Sequence, residues 1–169
     1  MVVTMDKNIT CFFTGHRSYP QKNSSGLVSV LDRSIAEAAD MGYENFICGG
    51  AVGFDTLAAC RVIVAAEAMP QIKLILALPC RDQTARWKKL YDISLYQRIK
   101  GLASEIIYVS DVYSSGCMHA RNRMMADSSS RCIAYYNGSA SGGTAYTVRY
   151  ARESGLKLVN LYDELKKGI

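Results

Sequence analysis

The stretch "NFICGGAVGFDTLAA", Asn45 to Ala59, decides the fold. Its first four residues read as a short apolar strand, Gly49 and Gly50 close it, and from Phe54 the chain is alanine-rich and helical until Pro70. Glycines at such a junction permit positive φ and close approach of another group, while the first N–H groups of the helix point outward without partners. A strand that passes through a glycine turn into a helix is the repeating step of a parallel α/β sheet, so the flanking sequence settles the class.

The alternation continues in both directions. Upstream, 9–14 is an apolar run ending at Gly15, followed by Leu27, Leu31, Ile35 and Ala39 at helical spacing up to Gly42. Downstream, 72–78 is nearly all apolar, as in a strand covered on both faces. Trp87, Leu90, Tyr91, Ser94, Leu95 and Ile99 trace one face of a helix that Gly101 ends. Further strands are predicted at 106–109, 131–136 and 156–160, with helices at 118–127 and 144–153 and a short helical tail. The pattern predicts one domain over residues 1–169: an α/β, Rossmann-like three-layer sandwich with a mostly parallel sheet and helices on both faces. Strand order is not legible, but ligands of such sheets bind beyond the carboxyl ends of the strands.

Composition excludes several classes. The chain has 169 residues, 49% hydrophobic and 21% charged, which suits a domain with its own core. No apolar run approaches the roughly 20 residues that cross a bilayer. "MVVTMDKNIT" at the start lacks the basic-then-apolar order of a signal peptide, so a cytoplasmic protein without membrane contact is expected. The net charge of +5 is scattered, which favours an ordinary solvated surface over a nucleic-acid footprint. The six cysteines form no CxxC pair and no Cys/His cluster of zinc spacing; they are expected to be reduced and mostly buried, with no metal site.

Four polar or glycine-bearing segments fall at strand ends, and their convergence is the main functional signal. "TGHRSYP" places Thr14, Gly15, His16 and Arg17 after the first strand. "CGGAVGFDT" brings Gly49, Gly50, Ala51 and Gly53 to the start of a helix, a natural anion site. It is neither a Walker A loop nor a GxGxxG fingerprint. Asp55 there is either a carboxylate matched to the helix dipole or an acceptor for a ribose hydroxyl. "SSGCMHARNRM" offers Arg121 as a guanidinium fork for phosphate or ribose, with Arg123 on a solvated face. In "NGSASGGTAYT", Ser141, Gly142, Gly143 and Thr144 offer N–H groups and hydroxyls to one phosphate, where a plain turn would need only Thr144 as a helix cap.

These motifs resemble a known superfamily. "MHARNRMMADSSSRCIAYYNGSASGGTAYT" resembles the signature region of LOG-type cytokinin-activating phosphoribohydrolases, which runs Met-His-x-Arg-Lys, a strand, then Pro-Gly-Gly-x-Gly-Thr-x-x-Glu. "GGAVGFDTLAA" is similar to the glycine turn of DprA-type DNA-processing proteins. Both belong to the SLOG superfamily of Rossmann-like nucleotide-binding domains, and the order TGHR, GGAxGFD, SGGTxxT is most similar to its YpsA-like branch. The departures from the LOG pattern bear on chemistry. Thr147 stands where the LOG pattern has Glu, Asn122 where it has Lys, and the proline before the Gly-Gly pair is absent. A threonine supplies neither the negative charge nor the base that an oxocarbenium-like transition state requires.

What the resemblance implies is a domain that binds a nucleotide-derived ligand of the AMP, ADP-ribose or NAD type, as a sensor or regulatory module. A protein partner or a homodimer would carry its signal. No cofactor is certain; the ligand it implies is an adenine nucleotide, whose diphosphate could bring Mg²⁺. Two alternatives stay open. One is a nucleoside-monophosphate N-glycosidase with Asp55 as the catalytic carboxylate, Glu153 being too far along its helix. The other is single-stranded DNA binding as in DprA-type relatives.

Overall fold

The computed structural model describes residues 4–168, so the expected bounds 1–169 run past it at both ends. Strands β1 (Thr10–Gly15), β2 (Asn45–Cys48), β3 (Lys73–Leu78), β4 (Glu105–Tyr108), β5 (Arg131–Tyr135) and β6 (Lys157–Asn160) form one sheet in the order β4-β3-β2-β1-β5-β6. Every pairing is parallel, where the sequence predicted a mostly parallel sheet. The register sets Gly15 opposite Tyr135 at the carboxyl end of the β1–β5 pair.

Six α-helices cover the sheet: α1 (Ser24–Asp40), α2 (Phe54–Ala68), α3 (Leu90–Leu102), α4 (Cys117–Asp127), α5 (Gly143–Glu153) and α6 (Leu161–Lys167). The side chains of β1 alternate between the two faces, as a strand dictates. Cys11 and Phe13 join the core built with α1, α2, α3 and α6, whereas Phe12 joins the one built with α4 and α5. The central strands are therefore buried on both sides, which accounts for their near-continuous apolar sequences.

The chain winds from β1 out to β4 under α1, α2 and α3. It then crosses back beneath α4 to β5, on the other side of β1. The neighbours β1 and β5 thus lead in opposite directions across the sheet, and a crevice opens at their carboxyl ends. Parallel α/β sheets bind ligands at such a switch point.

One predicted helix face is corrected. Leu90 and Tyr91 are 82% and 75% exposed, and Trp87 lies before α3 rather than in it. A 3-10 turn at Gln83–Arg86 uncouples Trp87 from the helix, so the helical phase begins at Leu90. Tyr96 and Ile99 form the buried stripe instead, with Trp87 packed edge-on against Tyr96 at 5.2 Å between centroids. Gly101 lies inside α3, which ends one residue later.

All six cysteines are free thiols, and only Cys60 among them is not buried. Burial pushes the Cys11 thiol up to about 12. Among the described residues no group of three or more His, Cys, Asp and Glu side chains is placed to hold a metal ion. None of their helices is long and apolar enough to cross a membrane.

Candidate functional site

The crevice between β1 and β5 is a cleft of about 350 Å³. Twelve of the side chains and glycines expected at the site line it. They are Thr14, Gly15, His16 and Arg17 after β1, Ala51 and Asp55 at the start of α2, Arg121 and Asn122 on α4, and Ser141, Gly142, Gly143 and Thr144 leading into α5. Phe13, Met118 and Met125 supply its apolar floor.

Gly49, Gly50 and Gly53 do not line the cleft. Gly49 lies beneath it, where a Cβ would collide with the Arg121 guanidinium and come within 2.8 Å of the Asp55 carboxylate. Gly50 is turned away toward Leu78 and Tyr96, and Gly53 packs on the backbone of Arg17. These glycines let protein groups approach one another closely. The sequence registered close approach at this turn but not what approaches.

Arg121 is 4% exposed and its guanidinium is largely committed to the fold. Nη1 donates to the carbonyl of Gly49, and to that of Ala77 at 3.4 Å; Nε donates to Asn122 Oδ1 at 2.7 Å. One side chain thus ties α4 to the ends of β2 and β3, leaving Nη2, with only the Met118 sulfur at 3.9 Å, as its free edge. Burial lowers the guanidinium's pKa, and Asp55 pulls it back up.

Asp55 is 6% exposed, and its Oδ2 accepts from the Ala51 N–H at 3.4 Å. Burial pushes its carboxyl above the ordinary carboxylate value, against the opposing pull of Arg121, the N–H groups of Ala51 and Gly49, and Arg17. A buried acid beside a buried base in a cleft is a common mark of a functional site.

The loop after β1 is fixed by its backbone. The Phe54 N–H donates to the His16 carbonyl at 3.1 Å, and the His16 N–H to Tyr135 at 3.2 Å. The His16 ring is held as well, its Nε2 accepting from the Asn137 N–H at 3.0 Å. Arg17 is exposed over the cleft mouth. At the opposite wall, Gly142 takes φ of +105°, a conformation open to glycine, and turns the chain into α5. The first intrahelical bond there runs from the Tyr146 N–H to the Gly142 carbonyl at 3.0 Å, so the N–H groups of Gly143, Thr144 and Ala145 have no helical acceptor. The helix begins one residue earlier than expected, and Thr144 is not its cap.

The family model described as "YspA SLOG family" (YpsA) matches residues 11–163. The chain belongs to the YpsA SLOG family. It is 33% identical over 127 residues to a Bacillus subtilis protein described as "Uncharacterized SPbeta prophage-derived protein YoqJ", covering 66% of this chain and 71% of that one. Its fold is similar to DNA processing protein A from Helicobacter pylori, solved in a study of single-stranded DNA binding, with a TM-score of 0.63 and 19% identity over 99% of this chain and 76% of that one. DNA processing protein A from Streptococcus pneumoniae is also similar, with a TM-score of 0.51 and 15% identity over 95% of this chain and 62% of that one.

Two side chains of this SLOG domain carry a relationship that sequence reading missed. Asn122 and Thr147, the residues at the Lys and Glu positions of the LOG pattern, are hydrogen-bonded to each other: Asn122 Nδ2 donates to Thr147 Oγ1 at 2.8 Å. Thr147 is 1% exposed and donates in turn to the Gly143 carbonyl at 2.8 Å. Glu153 is exposed at the far end of α5 and away from the cleft, as its position along the helix implied.

Proposed function

We propose that this domain binds a nucleotide-derived ligand of the AMP, ADP-ribose or NAD type in the β1–β5 cleft without cleaving it, as a sensor or regulatory module. The observation that carries this reading is the convergence on one cavity of Arg17, the free edge of Arg121 and the unbonded N–H groups at the start of α5. Cationic forks and a helix N-terminus together suit phosphate oxygens. Asp55, across the cleft, is an acceptor suited to ribose hydroxyls.

The neutral Asn122–Thr147 pair supports binding over hydrolysis. Both side chains are engaged with each other at the positions where the LOG pattern carries charges. Asp55 is the remaining carboxylate in the cleft, and its burial favours the protonated form over the charge that would stabilise an oxocarbenium ion.

The test is thermal unfolding of the protein against AMP, ADP, ADP-ribose, NAD and a short single-stranded oligonucleotide, with and without Mg²⁺, each mixture then assayed for free base. A ligand at about a hundred times its Kd adds roughly 2.7 kcal/mol, a readily measured rise in Tm. Stabilisation by an adenine nucleotide without free base is expected. Free base lost on Asp55→Asn, with binding kept, would make the chain a glycosidase. Stabilisation by the oligonucleotide alone would make the cleft a DNA site.

A further inference from the structure

The crevice does not end at the loop after β1. On the other side of His16 and Arg17 lies a second cavity of about 370 Å³, lined also by Tyr135, Asn137 and Tyr162, on the face of the sheet that carries α1 and α6. His16 and Arg17 line both cavities, so a single two-residue ridge divides them.

The walls of this niche are aromatic. Tyr135 is stacked on Phe54 at 5.8 Å, and its ring meets Tyr162 at 5.8 Å and His16 at 6.2 Å, both edge-on. Tyr135 is 6% exposed as a residue, while its hydroxyl keeps access to solvent and bonds to no other group among the described residues. The hydroxyls of Tyr43, Tyr96, Tyr136 and Tyr150 are each bonded, to Ser130, Gln83, the Ser139 carbonyl and Asp127. An accessible phenol on a cavity wall is free to bond a ligand that enters the niche.

We infer that this niche is the base subsite of the proposed nucleotide ligand: a heteroaromatic ring lodges against Tyr135 and Tyr162 while its phosphate lies across the His16–Arg17 ridge in the main cleft. The inference rests on the nucleotide reading of that cleft and adds to it the placement of the base. Aromatic rings offer a base stacking surface, Arg17 stands between ring and phosphate where a cation serves both, and the Tyr135 hydroxyl donates to or accepts from the ring edge.

Titration calorimetry of the whole chain with AMP and with ribose 5-phosphate, which lacks the base, separates the two claims. Wild type is expected to bind AMP at least about tenfold more tightly. Tyr162→Ala should weaken AMP by about tenfold and leave ribose 5-phosphate unchanged. Tyr135→Phe, which keeps the ring packing, should weaken AMP by about fivefold with the same selectivity, so it decides the matter if Tyr162→Ala misfolds. Equal affinity of wild type for the two probes, unaltered AMP affinity in Tyr135→Phe and Tyr162→Ala, or equal losses on both probes would each overturn the base subsite while leaving the phosphate site standing. No binding of either probe by wild type would overturn both.

Discussion

Asn122 Nδ2 donates to Thr147 Oγ1 at 2.8 Å, joining α4 to α5 directly beneath the cleft. Thr147 thus both accepts and donates, since its own proton goes to the Gly143 carbonyl at 2.8 Å. Two residues that look in the sequence like the loss of a charged pair are in the structure a neutral pair in its place. The turn at Gly142–Gly143 is braced through it.

Thr147→Val tests that bracing. Valine keeps the volume but leaves the amide of the half-buried Asn122 without its acceptor and the Gly143 carbonyl without its donor. We expect a loss of about 1–3 kcal/mol. In a domain of this size each kcal/mol lowers Tm by about 2–4 °C, read by calorimetry. An unchanged Tm would show that the pair contributes nothing.

Asp55→Asn should stabilise the unliganded protein at neutral pH. Burial raises the carboxyl's pKa in the folded state, so the folded protein holds the proton more tightly than the unfolded chain does. The stability associated with that proton is fully present below the unfolded carboxylate value and is lost as pH rises through the folded one. Tm measured against pH should therefore show Asp55→Asn above wild type at pH 7, with the gap closing as pH falls through the carboxylate range. A gap that widens on acidification would mean that Asp55 is held ionised. A buried acid that weakens the fold at working pH is the kind of group retained for a ligand.

The two arginines should behave differently. Arg17 is exposed and lines the cleft, so Arg17→Ala is expected to weaken AMP by about tenfold with Tm unchanged in the absence of ligand. Arg121→Lys removes the fork that reaches the Gly49 and Ala77 carbonyls and should lower stability as well as affinity, by about 2–4 kcal/mol of folding free energy. Denaturant titration and calorimetry of the two variants read this contrast. Equal effects on stability would contradict it.

Gly49→Ala should be among the most damaging of the small substitutions. Its methyl group falls on the Arg121 guanidinium, which is held by α4 and cannot swing aside without leaving the Gly49 and Ala77 carbonyls. A loss of about 1–3 kcal/mol is expected from overpacking. Gly142→Ala meets no atom within 4 Å but is strained by φ of +105°, at about 1–2 kcal/mol. Chemical denaturation ranks the two, and a neutral Gly49→Ala would mean that the turn is loosely packed.

Much of this architecture was legible because its signals are local. β2 is bounded at both ends as its apolar run and glycine pair predict, and α2 begins at Phe54. The strand-end rule then gathered segments around Arg17, Asp55, Arg121 and Gly143 that are far apart in the chain. What was not legible depends on tertiary direction. Periodicity put Leu90 and Tyr91 on a buried face because it could not see the 3-10 turn that resets the helix after Trp87. Glycine spacing could not say that the neighbour of Gly49 is a guanidinium and a carboxylate of this same chain. The Asn122–Thr147 bond joins residues 25 apart and has no local signature. The Tyr135–Tyr162 niche exists only because α6 folds back over the end of β5.

The most direct measurement is calorimetric titration of wild type with AMP and ADP-ribose, followed by chromatography of the same solutions for free adenine. Saturable binding, weakened by Arg17→Ala, is expected, with the nucleotide recovered intact after prolonged incubation. Adenine accumulating in proportion to protein, or no binding of either nucleotide, would contradict the proposed function.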